Sequence, residues 1–227
     1  KISKNFLAVV RFDTMGLMIP GHKTHYHRPP RKLTEKLIKV FIKFLRFFAD
    51  LFFQNRYAHR AVFIETIAAI PGMVGGALLH FKCLRKIKED EGWIRTLLDE
   101  AENERMHLLT FVEVAKPYWY ERVLIYMIQG FFIFFYALLY ILSSGLAHRF
   151  VGYLEEEAIQ SYTDYLEKID NGTIQNLPAP HIGITYWHLN KKATLRDLII
   201  AVRKDECHHR DVNHHLSDLI QKRKFNI

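Results

Sequence analysis

Apolar residues recur along this chain at the spacing of α-helices. The clearest case is residues 34–54, whose charged positions from Lys36 onward follow one another at steps of three or four: Lys36, Lys39, Lys43, Arg46 and Asp50. Steps of this size place side chains on one face of a helix. The residues between them are Leu, Ile, Val, Phe or Ala. The pattern therefore predicts an amphipathic helix with a wide apolar face and a narrow charged face.

Five further helices are predicted after the first: residues 58–87, 91–115, 118–144, 147–169 and 194–222. Thr34 and Thr194 are the predicted N-caps of the first and last helices, and Asp197 completes a capping box with Thr194. Pro71 predicts a local irregularity in the second helix. Residues 171–193 are expected to form an irregular connection. No stretch alternates like a strand, so the fold class is all-α.

The chain organisation is one arm followed by one domain. Residues 1–32 contain GHKTHYHRPPR and predict an extended N-terminal arm, and residues 33–227 predict a single helical domain. A length of 227 residues suits one sizeable core. The hydrophobic share of 49% excludes a disordered chain, and two cysteines exclude a disulfide framework.

A strongly apolar segment raises the question of a membrane. Residues 123–142 are long enough to span a bilayer, but Gln129 and Gly130 interrupt them and both neighbouring helices belong to the same body. With the helix at 34–54, they predict two lipid-facing helices that dip into one leaflet. A true span and a soluble bundle are the alternatives. The net charge of +8 then favours anionic lipid over nucleic acid, because the aromatic residues cluster in the apolar runs.

Six candidate metal ligands lie on four of the predicted helices. Glu104 with His107, and Glu206 with His209, form two Glu-x-x-His pairs whose members share a helix face. Glu65 stands in the apolar run AVFIETIAAI, where a bare carboxylate is costly to bury without a cation. The alternative for Glu65 is a salt bridge to Arg60 or Arg46.

The sixth candidate belongs to the acidic run LEEEA. Three adjacent glutamates point in different directions on a helix, so about one should face inward. Helical periodicity with Ala158, Ile159 and Tyr162 favours Glu155 over Glu156 and Glu157 as the inward-facing residue. The alternative is that the whole acidic run is a solvated patch. Two lone glutamates and two Glu-x-x-His pairs are the ligand set of ferritin-like four-helix bundles that hold a di-iron or di-manganese site. Asn103 and Asp205, which each precede a ligand glutamate, are candidate partners for the ligand histidines.

Four segments, in order, resemble the mitochondrial alternative oxidases, the cyanide-insensitive ubiquinol oxidases. They are FIETIAAIPGMVGG, LLDEAENERMHLLTFVEVAKPYWYERV, HRFVGYLEEEAIQSYTDYL and ATLRDLIIAVRKDECHHRDVNHHLSDL. The resemblance covers roughly residues 45–220. It implies a membrane-bound enzyme that oxidises ubiquinol and reduces dioxygen to water without proton pumping. It also implies a homodimer on the matrix side of the mitochondrial inner membrane, or in a mitochondrion-related organelle.

The same resemblance implies roles for particular residues. Two iron ions would be held by Glu65, Glu104, His107, Glu155, Glu206 and His209. Tyr162 would be a redox-active tyrosine near the irons. The polar members of a quinol pocket would be Arg46, Asp50 and Arg60, and its walls would be Ile64, Leu154, Ala158 and Ser161. Asn103, Asp205, Tyr186 and Trp187 would support the ligands.

The sequence departs from the family pattern at a few positions. Ile64 stands where the family usually has Leu, and Cys207 stands where it usually has Ala. Both lie beside a ligand and should not remove metal binding. Residues 1–57 contain no cysteine, which puts thiol regulation in doubt.

Three other functions compete with the oxidase. They are a di-iron hydroxylase or desaturase acting on lipid, a soluble ferritin-like iron store, and a basic nucleic-acid-binding module. The lipid-facing helices disfavour the iron store, and the placement of the aromatic residues disfavours the nucleic-acid-binding module.

Overall fold

The computed structural model describes residues 26–222, which form seven α-helices. These are α1 (Leu33–Phe53), α2 (Tyr57–Lys86), α3 (Trp93–Ala115), α4 (Trp119–Leu142), α5 (Ser144–Asp170), α6 (His181–Tyr186) and α7 (Leu195–Gln221). Outside helices, the described residues contain one isolated antiparallel bridge, between Pro178 and Thr194. The all-α prediction is confirmed.

Four of the helices form a bundle. α2 packs along α3, and α5 packs along α7. α1 lies mainly against α5, and α4 lies against α2 and α5. These two helices are therefore additions to one side of the bundle, which matches the predicted four-helix core with two extra helices.

Helix α2 continues through Pro71 without ending, although an irregularity was predicted there. Its close packing against α3 depends on the next residue, Gly72. A Cβ atom at Gly72 would lie 2.4 Å from the carbonyl oxygen of Leu97, which is closer than side-chain carbons approach in proteins. The absent side chain thus sets the distance between the two helices at this level.

Of the two predicted N-caps, one is confirmed and one is wrong. Thr194 caps α7, and its backbone N–H donates to the Asp197 carboxylate over 2.8 Å, as predicted. Thr34 is not the N-cap of α1, because the helix already begins at Leu33. The Glu35 carboxylate, in the first turn, accepts the backbone N–H of Arg31 over 2.7 Å and that of the N-cap residue Lys32 over 3.4 Å. An acidic residue in the first turn stabilises the helix start through these contacts and through the helix dipole.

The connection at residues 171–193 is more ordered than predicted. It contains the one-and-a-half-turn helix α6, which packs on α3. This helix delivers Tyr186 and Trp187 to the bundle. Six residues are too few for a periodic apolar pattern, so no helix was predicted here.

Apolar surface is left uncovered on the two additional helices. α2 and α4 are both long and apolar enough to cross a membrane, but half of the most apolar window of α2 is buried, against 17% for α4. Large apolar residues are exposed on α1 and α4, among them Phe44, Phe47, Trp119, Tyr126, Phe134 and Leu142. A face of this kind is unusual for the surface of a soluble protein.

The predicted N-terminal arm is described only from residue 26. Arg28 forms a two-pronged ion pair with Asp218 of α7, at 2.8 and 2.7 Å, and its backbone N–H donates to Glu156 over 2.7 Å. These contacts tie residues before α1 to α5 and α7. His22, His25 and the rest of the arm lie outside the described residues, so the arm remains a prediction.

Candidate metal centre

The six predicted ligands meet in the middle of the bundle. Glu65 comes from α2, Glu104 and His107 from α3, Glu155 from α5, and Glu206 and His209 from α7. None is more than 4% exposed. Because each Glu-x-x-His pair spans about one helical turn, its two side chains leave the same face of the helix.

The ligand atoms divide into two overlapping groups of four. One group is Glu65, Glu104, His107 and Glu206, and the other is Glu104, Glu155, Glu206 and His209. In each group the atoms lie within 4.8 Å of one another. Glu104 and Glu206 belong to both groups, so the structure arranges two adjacent sites that share two carboxylates.

The imidazoles point into this cluster. His107 Nδ1 lies 3.1 Å from Glu65 Oε2 and 3.2 Å from both Glu104 Oε2 and Glu206 Oε1. His209 Nδ1 lies 2.6 Å from Glu104 Oε1. In both rings the Nδ1 atom is therefore the one available to a metal ion.

Without a cation, burial and mutual repulsion disfavour the charged form of several carboxylates in the cluster. Burial raises the pKa of Glu65 well above its ordinary value, and the nearby Glu206 and Glu104 carboxylates raise it further. Burial has the same first effect on Glu155, and the same two carboxylates add to it. For Glu104 the burial effect is outweighed by His107 and His209, which hold its pKa well below the ordinary value.

The donor set fits two divalent metal ions. Both oxygens of Glu206 are buried and make no hydrogen bond, despite the short distance to His107 Nδ1. A buried carboxylate without a donor is costly unless a cation compensates it. Four carboxylates and two imidazoles balance the charge of two divalent ions, and such carboxylate-rich ligation suits iron or manganese.

The alternative explanation for Glu65 is wrong. Arg60 pairs with Asp50, and Arg46 pairs with Glu157 and Asp164 at 3.1 and 2.6 Å. Neither arginine is a partner of Glu65, whose carboxylate instead lies 3.1 Å from His107 Nδ1 and accepts from the Tyr162 hydroxyl.

A group of polar side chains surrounds the Nε2 side of His107, which faces away from the other ligands. His107 Nε2 lies 3.4 Å from Asp205 Oδ2, which also accepts from Trp187 Nε1 over 2.7 Å and from Asn103 Nδ2 over 3.2 Å. Asn103 also donates to the Tyr186 hydroxyl over 3.1 Å. With a proton on Nε2, His107 keeps the Nδ1 lone pair for a metal ion. All four supporting residues anticipated from the sequence meet here.

Tyr162 lies directly beside the cluster. It is 2% exposed, its hydroxyl donates to Glu65 Oε1, and its ring stacks on Phe111 with centroids 5.6 Å apart. Burial raises the pKa of Tyr162 well above its ordinary value, and Glu65 raises it further. The phenol therefore keeps its proton at neutral pH.

The polar residues predicted for the quinol pocket also come together. Asp50 accepts from Arg46 Nε over 3.4 Å and from Arg60. Arg60 in turn donates to the carbonyl of Ser161 over 3.5 Å. This group joins α1, α2 and α5. Arg46 and Asp50 on the charged stripe of α1 therefore face the bundle, whereas Lys36 and Lys43 on the same stripe are exposed. The apolar face of α1 is left outside.

The predicted wall residues lie on the two helices that carry Glu65 and Glu155. Ile64 precedes Glu65 on α2 and is partly buried. On α5, Leu154 precedes Glu155 and is partly buried, and Ala158 and Ser161, about one and two turns after Glu155, are 5% and 8% exposed. Their role in binding quinol remains a prediction.

Sequence reasoning missed two buried acids. Glu100 lies one turn before Glu104, is 5% exposed, and accepts from Asn213 Nδ2 at 3.0 and 2.9 Å; Asn213 also bonds His148. Burial raises the pKa of Glu100 to about 7. The four-residue step to Glu104 was the available signal for its position. The second acid is Glu156, which contacts His214 and Lys39 at 3.1 Å each, so two of the three adjacent glutamates are buried and not one.

Comparison with known proteins supports this site. A family profile described as "Alternative oxidase" matches residues 21–218. The chain is 58% identical over 193 residues to "Ubiquinol oxidase 1c, mitochondrial" of Arabidopsis thaliana, covering 85% of this chain and 59% of the relative. It is 57% identical over 193 residues to "Ubiquinol oxidase 2, mitochondrial" of Nicotiana tabacum, covering 85% of this chain and 65% of the relative. The chain thus spans about three fifths of the length of the relatives it matches.

Proposed function

This chain belongs to the alternative oxidase family, and we propose that it is a membrane-bound ubiquinol oxidase that reduces dioxygen to water without proton pumping. Two quinols would supply the four electrons that one dioxygen molecule requires. The observation that carries the proposal is the buried cluster in which two groups of four ligands share Glu104 and Glu206. The names of the relatives favour this activity over a hydroxylase or desaturase acting on lipid.

The six ligands would hold two iron ions. Glu65 and His107 belong to one site, Glu155 and His209 to the other, and the two shared glutamates to both. When bound, the ions supply the redox chemistry that passes electrons from quinol to dioxygen. The protein contributes a dry interior, in which all the ligands are buried, and this limits the escape of reactive oxygen species.

Quinol would bind where α1, α2 and α5 meet. Arg46 and Asp50 lie on the inner face of a helix whose outer face is apolar, so a quinol could pass from lipid to a polar anchor without crossing water. Arg60 extends this group to Ser161, one residue from Tyr162. The guanidinium groups would donate to the quinol oxygens, with Ile64, Leu154 and Ala158 against its ring.

Tyr162 would take part in the reduction itself. Its hydroxyl holds a proton against Glu65 Oε1, and the raised pKa keeps that proton in place at rest. We assign Tyr162 the transfer of one electron and this proton when the O–O bond breaks.

The uncovered faces of α1 and α4 support attachment to one membrane leaflet. They lie on the same side of the bundle, and the most apolar window of α4 is only 17% buried. A position on the matrix side of the mitochondrial inner membrane and a homodimeric state complete the proposal.

Replacing Glu65 tests the metal assignment. Glu65→Ala should lose both iron and cyanide-insensitive quinol oxidation, because it removes one ligand and a hydrogen-bond partner of Tyr162. Glu113→Ala, on the exposed side of α3, is the matched control and should retain both. Iron content and oxygen uptake are measured on the purified protein, and normal turnover by Glu65→Ala would refute the ligand set.

Replacing Arg46 tests the quinol site separately. Arg46→Ala should keep its iron but lower kcat/KM for quinol by about 10- to 100-fold, since a charged hydrogen bond contributes about 1.5–3 kcal/mol. Lys36→Ala, on the same charged stripe but exposed, should behave as wild type. Loss of iron from Arg46→Ala would instead make this residue purely structural.

A further inference from the structure

A cavity with a basic lining lies at the end of the bundle where α2 and α4 finish and α5 begins. Its volume is about 540 Å³, within the range of about 300–1,000 Å³ typical of small-molecule sites. Its basic residues are Lys82, Arg85 and Lys86 in the last turns of α2. Ser143 and Ser144 add hydroxyl groups from the start of α5.

The described residues around the three cations do not neutralise their charge. None of them forms an ion pair with a carboxylate within residues 26–222. Elsewhere many basic side chains of the bundle are paired, as Arg46 with Asp164 and Arg149 with Asp218. A cavity with three uncompensated positive charges and hydroxyl donors has the chemistry of a phosphate-binding site.

The mouth of this cavity adjoins the apolar face of α4. Ile141 and Leu142 line the cavity and are 68% and 73% exposed, so the uncovered surface of α4 continues up to the cations. A molecule that fills both places must carry an anionic head and a hydrocarbon chain.

We propose that this cavity binds the phosphate group of an anionic phospholipid, with its acyl chains lying along α4. The three basic side chains would hold the phosphate oxygens, and Ser143 and Ser144 would donate hydroxyl hydrogen bonds. The inference rests on the proposed attachment to a membrane, but not on the oxidase activity.

The lipid site is separate from the quinol site. Along α5 the cavity is formed by Ser144 and Gly145, whereas Ala158 and Ser161 are predicted to contact quinol. At a rise of about 1.5 Å per residue these places are about 20–25 Å apart. A phospholipid in the cavity would therefore fix the depth and orientation of the protein in the leaflet without competing for quinol.

Vesicle flotation of the iron-loaded full chain tests the proposal. Wild-type protein should bind vesicles of phosphatidylcholine mixed with phosphatidylglycerol more tightly than vesicles of phosphatidylcholine alone. The triple variant Lys82→Gln, Arg85→Gln, Lys86→Gln should lose about 100-fold in affinity for the mixed vesicles, since each cation near an anionic surface contributes about a factor of five. Its affinity for phosphatidylcholine alone should stay at the wild-type value.

A matched triple variant controls for total charge. Lys191→Gln, Lys192→Gln, Lys204→Gln removes the same charge from exposed positions on α7 and just before it. It should retain the preference for mixed vesicles, because those side chains lie outside the screening distance of about 8–10 Å from the cavity. Lys82→Arg with Lys86→Arg should retain it too, which separates loss of charge from loss of folding.

Several outcomes would overturn the inference. An equal loss in the two triple variants would indicate diffuse basic attraction, and an equal loss on both kinds of vesicle would indicate damage to membrane attachment or folding. Binding of inorganic phosphate by the wild type, together with an unchanged preference for mixed vesicles in the cavity triple variant, would assign the cavity to a soluble phosphate. Failure of the wild type to bind phosphatidylcholine at all would instead remove the proposed membrane attachment itself.

Discussion

Gly72→Ala should push α2 away from α3. The new Cβ atom would begin 2.4 Å from the carbonyl oxygen of Leu97 and 3.0 Å from Cβ of Ala101. Favourable contacts between such atoms lie near 3.5–4.0 Å, so the helices must separate by roughly 1 Å at this level. A backbone carbonyl inside a helix has little freedom to move aside.

The cost follows from two opposing contributions. Overpacking a close contact costs about 1–3 kcal/mol, and a 2.4 Å contact with a backbone carbonyl belongs to the upper part of that range, at about 2–3 kcal/mol. Alanine is favoured over glycine in a helix by about 1 kcal/mol, which offsets part of that cost. We expect a net loss of about 1–2 kcal/mol in the free energy of unfolding. For a chain of this size that corresponds to a fall in Tm of about 2–8 °C.

The effect should also reach the metal ligands. Glu65 precedes Gly72 by seven residues and Glu104 follows Leu97 by seven, so both lie about two turns, or about 10 Å, from the contact. Widening the gap between α2 and α3 should move Glu65 away from Glu104 and weaken iron retention. Circular dichroism of the iron-loaded protein gives Tm, and iron content after incubation with a chelator gives retention.

Gly130→Ala is the matched control. No heavy atom outside its own helix lies within 4 Å of a Cβ at Gly130, so this change should be neutral or stabilise the protein by up to about 1 kcal/mol. Wild-type stability and iron retention in Gly72→Ala would refute the view that this glycine sets the helix spacing.

Two further predictions concern buried polar groups. Asp205→Asn should weaken iron binding by about 10- to 100-fold in a chelator competition, because the charged acceptor of His107 Nε2 is lost. Asp197→Asn, at the cap of α7, is the control and should leave iron binding unchanged. Equal iron affinities of the two variants would show that Asp205 does not orient His107. Burial lowers the pKa of His148 to about 4, below the unfolded value near 6.5, so His148 contributes stability above pH 6.5 that is lost as pH falls towards 4. Glu100 has the opposite effect over pH 4.5–7, so the measurement is the difference in unfolding free energy between wild type and His148→Leu, which should change by about 3 kcal/mol between pH 7 and 4. A constant difference would mean that His148 is not buried in its neutral form.

The sequence was most informative where the polarity of a residue differed from that of its neighbours. Glu65 stands in a run that is otherwise apolar except for Thr66, and a carboxylate in that setting predicts a cation. The structure places Glu65 among the candidate ligands. The charged stripe of α1 was equally clear, because one helix face carried every ionic side chain. Long periodic segments likewise gave the helices to within a few residues.

The sequence-based predictions were wrong or incomplete where tertiary contacts decide which side chains are buried or meet. Glu156 is buried because Lys39, His214 and the backbone of Arg28 converge on it from three separate segments. No local pattern reports such a convergence. The sharing of Glu104 and Glu206 between two sites also depends on how α3 and α7 face each other across the bundle, which spacing along one helix does not contain.

In helix α1 the arrangement of polar and apolar side chains is the reverse of that in a water-soluble bundle. Several of its ionic side chains, such as Lys39 and Arg46, face the protein, and its phenylalanines other than Phe53 are exposed. Concentrated salt, the usual means of stripping peripheral proteins from a bilayer, therefore acts on the seam between α1 and its own bundle and on the proposed phosphate contact of α2, whereas an apolar contact of α1 with lipid would be strengthened. Washing with salt should loosen this helix internally before it breaks the proposed apolar attachment, so extraction of the protein calls for detergent at low ionic strength.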